Sequence, residues 1–109
     1  MLGGVLVAHV LCHTERSLED RVCDWAKSRG ILAFKFEVSG QRGWPDRIFI
    51  YKGRCAFIEF KAKGCVPIGI QKLRLRTLCD GGTPAIWTDS YETAIGFLHE
   101  QLSPSSLSS

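Results

Sequence analysis

The residues of this 109-residue chain that could do chemistry together lie around one predicted hairpin. Two runs, 46–51 and 54–61, are apolar or β-branched at most positions, which is typical of strands. Lys52-Gly53 lies between them and favours a tight two-residue turn. Two acids and a lysine fall on these two strands, so the register of the hairpin decides whether they meet.

A two-residue turn places Asp46 directly opposite Glu59, with Cβ atoms about 4.5–5.5 Å apart. Lys61 then points to the same side of the sheet as Glu59, because alternate residues of a strand share a face. A three-residue turn without a compensating bulge would instead place Asp46 opposite Phe60 and separate the two acids.

Like charges directly opposite each other destabilise a sheet, so a pairing of Asp46 with Glu59 requires a compensating charge. A hard divalent cation such as Mg²⁺ supplies one, since such ions prefer carboxylate oxygens and retain bound waters. The alternative is that both acids are ordinary solvent-facing strand residues. The preceding Gly43-x-Pro45 and the nearby Lys61 favour the metal site.

The order Gly43-x-Pro45-Asp46, then Glu59-x-Lys61, resembles the signature of the PD-(D/E)xK nuclease superfamily, and more narrowly that of the VRR-NUC (virus-type replication-repair nuclease) domains. The resemblance extends over residues 15–100 and includes an upstream acidic helix and a downstream Gln71. It implies a DNA endonuclease that uses Mg²⁺ or Mn²⁺.

The resemblance also implies a role for each site residue. The metal ligands would be Asp46, Glu59, Glu19 and the backbone carbonyl of Phe60, and the catalytic set would be Asp46, Glu59, Lys61, Glu19 and Gln71. The assignment of Glu19 rests mainly on the resemblance, and the alternative is a surface glutamate beside Glu15 and Asp20. From the residues alone, Gln71 is equally a surface glutamine.

Basic residues surround the two acids. Nine Lys or Arg residues and only two acids lie between Arg42 and Arg76, which gives this segment a charge of +7 within a chain of net charge +3. Such a field suits a polyanion like DNA, although a solvated basic surface would look the same. The candidate DNA contacts are Gln41, Arg42, Lys63, Lys72, Arg74 and Arg76, and the last three are expected to be the exposed basic residues of their helix. Trp44 is either a core residue or a stacking surface.

The substrate is less well defined by the sequence. We expect structure-selective cutting of branched DNA such as Holliday junctions, because nothing in so short a chain is typical of a sequence-reading module. The alternatives are a flap or restriction-like nuclease with the same site, a nucleic-acid-binding module without catalysis, and a basic protein–protein adaptor. The resemblance further implies a DNA-repair homodimer of phage or bacterial type in the cytosol.

Other classes of protein fit the composition poorly. The five cysteines are odd in number and lack C-x-x-C spacing, which argues against a disulfide framework or a zinc site and for a reducing cytosol. The apolar run 5–11 is too short to span a membrane. No small-molecule substrate is indicated. We expect one domain over residues 1–102 and a disordered Ser-rich tail over 103–109.

The predicted elements follow the order α-β-β-β-α-β-α, which predicts an α/β restriction-endonuclease-like PD-(D/E)xK core with a mixed central sheet flanked by helices. The predicted ranges are a helix to about Arg29, strands 31–38, 46–51 and 54–61, a helix over 70–79, a strand over 84–88 and a helix to 102. Apolar stripes predict the buried faces of the helices: Leu18, Val22, Trp25 and Ala26; Ile70, Leu73, Leu75 and Leu78; Ala94, Ile95, Leu98 and Leu102.

Overall fold

The computed structural model describes residues 18–102, so the expectations for the N-terminal apolar run and the Ser-rich tail lie outside the described residues. Helix α1 covers residues 18–28 of the described part. It is followed by β1 (Leu32–Lys35), β2 (Arg47–Tyr51), β3 (Arg54–Phe60), α2 (Gly69–Asp80), β4 (Ala85–Thr88) and α3 (Tyr91–Leu102). The predicted order of elements is confirmed.

The four strands form one mixed sheet in the order β1-β2-β3-β4. Strands β1, β2 and β3 pair antiparallel, whereas β4 runs parallel to β3 and is connected to it through α2. A helical crossover is the usual connection between parallel neighbours, because their ends lie at opposite edges of the sheet. The predicted mixed sheet with flanking helices is confirmed.

The β2–β3 hairpin has the two-residue turn that the sequence predicts. Tyr51 pairs with Arg54, and the register continues to Arg47 opposite Ile58. Both turn residues have positive φ, 47° at Lys52 and 83° at Gly53. Positive φ at both central positions is the type I′ geometry whose twist matches that of the flanking strands. The same register places Asp46, one residue before β2, opposite Glu59, so the three-residue alternative is wrong.

The two faces of the sheet are covered unequally. One face, here the helix-pair face, carries Phe49, Ile58 and Phe60 and packs against α1 and α3 in a buried core that includes Val22 and Leu98.

The other face, here the α2 face, carries Phe57 and is covered by a single helix. Its smaller buried cluster consists of Phe57, Leu75 and Ala85. Leu32 and Phe34 of the edge strand β1 remain about half exposed on this side. Glu59 lies on the α2 face, two residues after Phe57.

Three local expectations were wrong. Leu73 was predicted to face the core but is 53% exposed, because α2 directs Leu75 at the sheet instead. Strand β1 ends at Lys35 rather than at residue 38, since the chain turns at a short bridge between Val38 and Gln41. Arg74 is half-buried rather than exposed. Within residues 18–102 no helix has the length and apolar character needed to cross a bilayer.

Candidate functional site

Asp46 lies at the open end of the β2–β3 hairpin, where its side chain, and not a neighbouring strand, bonds to the backbone of β3. Its Oδ2 accepts a hydrogen bond of 2.9 Å from the backbone N–H of Phe60 in β3. Its backbone carbonyl accepts another of 3.0 Å from the N–H of Phe36, just after β1. The fully buried Pro45 precedes it. The Asp46 carboxylate is therefore fixed against β3 beside Glu59.

Glu59 is a buried carboxylate with two polar neighbours. Only 4% of the residue is exposed. Its Oε2 accepts a hydrogen bond of 2.9 Å from the Gln71 side-chain amide and lies 3.3 Å from the Lys61 ammonium. Burying a carboxylate is unfavourable unless it is paired and hydrogen-bonded, and Lys61 and Gln71 supply a charge partner and a hydrogen bond at Oε2.

Gln71 occupies the first turn of α2 and connects that helix to β3. Its Oε1 accepts a hydrogen bond of 2.9 Å from the N–H of Ile68, one of the backbone donors left over at a helix N-terminus. With its oxygen used in this way, the amide nitrogen is directed at Glu59. Gln71 therefore contacts Glu59 directly and is not an isolated surface glutamine.

Glu19 belongs to α1, which packs on the face of the sheet opposite to that of Glu59. Its Oε2 accepts a hydrogen bond of 2.5 Å from Arg47 Nε, and the two side chains are only 14% and 17% exposed. Burial pushes the pKa of Arg47 down, but its hydrogen bond and charge interactions, chiefly with Glu19, raise it above the ordinary value. Arg47 therefore stays protonated and forms an ion pair with Glu19, a partner that the sequence did not predict.

A cleft of about 280 Å³ lies between Glu19, Asp46 and the loop before β2. Glu19 and Asp46 both line it, together with Lys35, Gln41 and Trp44. The structure therefore brings Glu19 to the rim of the site without placing it in one cluster with Asp46 and Glu59.

The fit of a divalent cation can be judged from these donors. In the part of the chain from residue 18 to residue 102, no three His, Cys, Asp or Glu side chains form a group that could hold a metal ion. Mg²⁺, however, is usually held by one or two carboxylates and keeps several waters. Asp46, Glu59 and the carbonyl of Phe60, whose N–H already binds Asp46, match that donor set.

The candidate DNA contacts divide into two groups. Four are exposed, and the first of them lines the cleft: Arg42, Lys63, Lys72 and Arg76. Gln41 and Arg74 are instead engaged within the protein: Gln41 Oε1 accepts a hydrogen bond of 3.0 Å from Trp44 Nε1, and the Arg74 guanidinium lies 4.6 Å from the centre of the Trp44 ring. Trp44 is half-buried, between these two side chains and Phe36.

No protein-family model matches the chain, and no curated protein is significantly similar to it. A solved structure described as a VRR_NUC domain superposes on it with a TM-score of 0.72. The two sequences are 21% identical, and the alignment covers 80% of this chain and 95% of the other. At this level of identity the likeness establishes the fold, so the chain has the mixed α/β fold of a VRR-NUC domain.

Proposed function

We propose that this chain is a metal-dependent endodeoxyribonuclease of the VRR-NUC kind within the PD-(D/E)xK superfamily. The observation that carries the proposal is the buried Glu59, held between Lys61 and Gln71 and beside Asp46, in the fold of a VRR-NUC domain. A buried acid, an adjacent acid and a lysine on the two strands of a rigid hairpin form a preorganised constellation.

Asp46, Glu59 and the Phe60 carbonyl would hold Mg²⁺ or Mn²⁺, with waters completing the coordination. When bound, such an ion lowers the pKa of a bound water and polarises a phosphoryl oxygen. Glu19 would act from the rim of the cleft, on a second ion or on its waters.

Lys61 would stabilise the reacting phosphate. Its ammonium lies 3.3 Å from Glu59 Oε2, and its side chain is 16% exposed, so it is anchored inside the protein yet can be reached from solvent. A fixed positive charge near the acids can orient the attacking water and offset the negative charge that develops on the phosphate. Gln71 would hold Glu59 in place during this step.

The substrate would be DNA bound through its backbone. Four exposed basic residues can neutralise phosphates without reading bases: Arg42, Lys63, Lys72 and Arg76. We propose structure-selective cutting of branched DNA such as Holliday junctions, with flaps or nicked duplexes as alternative substrates. A homodimer would supply two symmetric sites for paired nicks on such a junction.

The direct test is cleavage of labelled four-way junction, flap and plain duplex DNA in Mg²⁺, in Mn²⁺ and in EDTA. Wild type should cut only with a metal present. Asp46→Asn and Lys61→Ala should each slow cleavage by at least about 10²-fold, the loss expected when one electrostatic contact to a reacting group is removed.

Asp80→Asn and Lys63→Ala are matched controls, because each makes the same kind of substitution at an exposed residue outside the proposed metal site. Asp80→Asn should cut like wild type, and Lys63→Ala should lose affinity for DNA rather than cleavage rate at saturating DNA. Binding that persists in EDTA, without cleavage by wild type in either metal, would identify a non-catalytic binding module. Absence of any salt-dependent DNA affinity would favour the protein–protein adaptor.

A further inference from the structure

Arg74 is engaged inside the protein, although its position in a basic helix suggests a DNA contact. Its guanidinium lies 4.6 Å from the centre of the Trp44 ring, a stacking arrangement in which the cation is attracted to the ring face. Its Nε also donates a hydrogen bond of 3.1 Å to the backbone carbonyl of Arg42. Arg74 therefore uses the plane of its guanidinium on Trp44 and its Nε–H on Arg42.

The segment that Arg74 contacts leads directly into Asp46. Residues 42–45 carry no regular secondary structure and connect the Val38–Gln41 bridge to β2. The course of such a segment depends on what it packs against, because it lacks a ladder of backbone hydrogen bonds. Its course in turn decides where the Asp46 carboxylate points.

A second contact from the same helix limits this segment. Gly43 has a φ of +88° and lies so close to Ile70 that a Cβ atom added there would be 2.8 Å from Ile70 Cγ1. Ile70 and Arg74 are four residues apart and therefore lie on one side of α2. This side of α2 therefore contacts the segment twice. Ile70 packs closely against Gly43, and Arg74 binds Arg42 and Trp44.

The adjacent side of α2 holds the other acid. Gln71 follows Ile70 directly and donates its hydrogen bond to Glu59 Oε2. One helix therefore contacts both halves of the acidic pair: Glu59 through Gln71, and the segment leading to Asp46 through Ile70 and Arg74.

We propose that Arg74 is a positioning residue, which fixes residues 42–45 to α2 and thereby sets Asp46 relative to Glu59, and that it is not a phosphate contact. This inference rests on the proposed function for its link to cation binding, whereas the fixing of the segment stands on the contacts alone. Lysine cannot replace arginine in this role. It has no planar guanidinium that can stack on the Trp44 ring and at the same time donate an Nε–H to the Arg42 carbonyl.

The test compares Arg74→Lys and Arg74→Ala with Arg76→Ala, an exposed arginine on the same helix. Amide hydrogen exchange of the peptide over residues 38–46, measured without metal or DNA, reports the fixing of the segment. Arg74→Lys and Arg74→Ala should both speed exchange there, whereas Arg76→Ala should leave it unchanged. Trp44→Leu removes the ring from the other side of the contact and should match Arg74→Ala.

Two further readouts separate positioning from DNA contact. Mn²⁺ affinity by calorimetry should fall about 10–100-fold in Arg74→Lys, the usual effect of removing a residue that supports metal ligands, and should be unchanged in Arg76→Ala. The slope of log affinity for DNA against log salt, measured in EDTA, should decrease by about one in Arg76→Ala and stay at the wild-type value in Arg74→Lys and Arg74→Ala.

Wild-type exchange in Arg74→Lys would overturn the inference, and so would a salt slope that falls in Arg74→Ala as it does in Arg76→Ala. Faster exchange with unchanged Mn²⁺ affinity would overturn the link to Asp46. Failure of the proposed function is a different result, in which wild type itself binds neither Mn²⁺ nor DNA while the exchange data still decide the role of Arg74 in the segment.

Discussion

The two faces of the sheet differ in what they bury. The helix-pair face buries apolar side chains, among them Phe49, Ile58 and Phe60, under two helices. The α2 face has a smaller apolar cluster and buries the carboxylate of Glu59. Apolar burial provides most of the favourable free energy of folding, and a buried charge opposes it. The helix-pair face therefore provides most of the stability, and the α2 face carries the proposed site.

The two roles meet on a single strand. Ile58 and Phe60 flank Glu59 in β3, and both are almost completely buried on the helix-pair face. Their packing fixes the backbone on either side of Glu59, and the contacts from Lys61 and Gln71 then orient its carboxylate. A catalytic group on a strand that is anchored from behind is held more accurately than one on a loop.

The difference in stability between the two faces is tested most strongly at two neighbouring residues of β2. Phe49 is fully buried on the helix-pair face, and Ile48 is half-buried on the α2 face. Phe49→Ala should lower the free energy of unfolding by about 3–5 kcal/mol, through lost apolar contact and the cavity left behind. Urea unfolding followed by circular dichroism measures it.

Ile48→Ala is the matched control, since it removes an aliphatic side chain one residue away on the opposite face. It should cost less than half as much, because Ile48 is only partly withdrawn from water and its neighbours on that face are fewer. Equal losses in the two variants would mean that the α2 face contributes to stability as much as the helix-pair face.

Gln71 offers a test of the opposite kind, in which function should change more than stability. Gln71→Ala removes a donor to Glu59 and the acceptor for the Ile68 N–H. We expect affinity for Mn²⁺ to fall about 10–100-fold, which is about 1.4–2.8 kcal/mol, as for other residues that orient a metal ligand. Calorimetric titration measures this affinity.

Lys72→Ala, at the next position of α2, should leave Mn²⁺ affinity unchanged because Lys72 is exposed. The unfolding midpoint of Gln71→Ala should stay closer to wild type than that of Phe49→Ala. A large loss of stability together with unchanged Mn²⁺ affinity would place Gln71 with the residues that hold the fold.

The parts that the sequence predicts well are those set by local geometry. Lys52-Gly53 specifies a two-residue turn, and that turn fixes the register that pairs Asp46 with Glu59. The helices follow from apolar periodicity, which predicts most of their buried positions. Leu73 is the exception, because periodicity indicates an apolar stripe but not how much of it the sheet covers.

The parts that sequence reasoning missed depend on contacts between distant segments. Arg47 and Glu19 are 28 residues apart, and Arg74 and the Arg42 carbonyl are 32 apart. A sequence does not show which of its Lys and Arg side chains are exposed. That depends on how α1 and α2 pack on the sheet. The sequence therefore predicts a basic field but not its members, as Arg74 illustrates.

Glu19 gives the smallest expected effect and the sharpest test of where the two faces meet. It belongs to α1, on the helix-pair face, yet it lines the cleft with Asp46. Glu19→Gln should lower the free energy of unfolding by about 1–2 kcal/mol, since it removes a charged hydrogen bond to Arg47. It should slow cleavage about tenfold, the lower end for a residue that acts on a site through others.

Arg47→Gln should cost similar stability but leave cleavage nearer wild type, because the Glu19 carboxylate stays at the rim. Equal cleavage losses would reduce Glu19 to a partner of Arg47, whereas a loss as large as that of Asp46→Asn would make it a direct ligand.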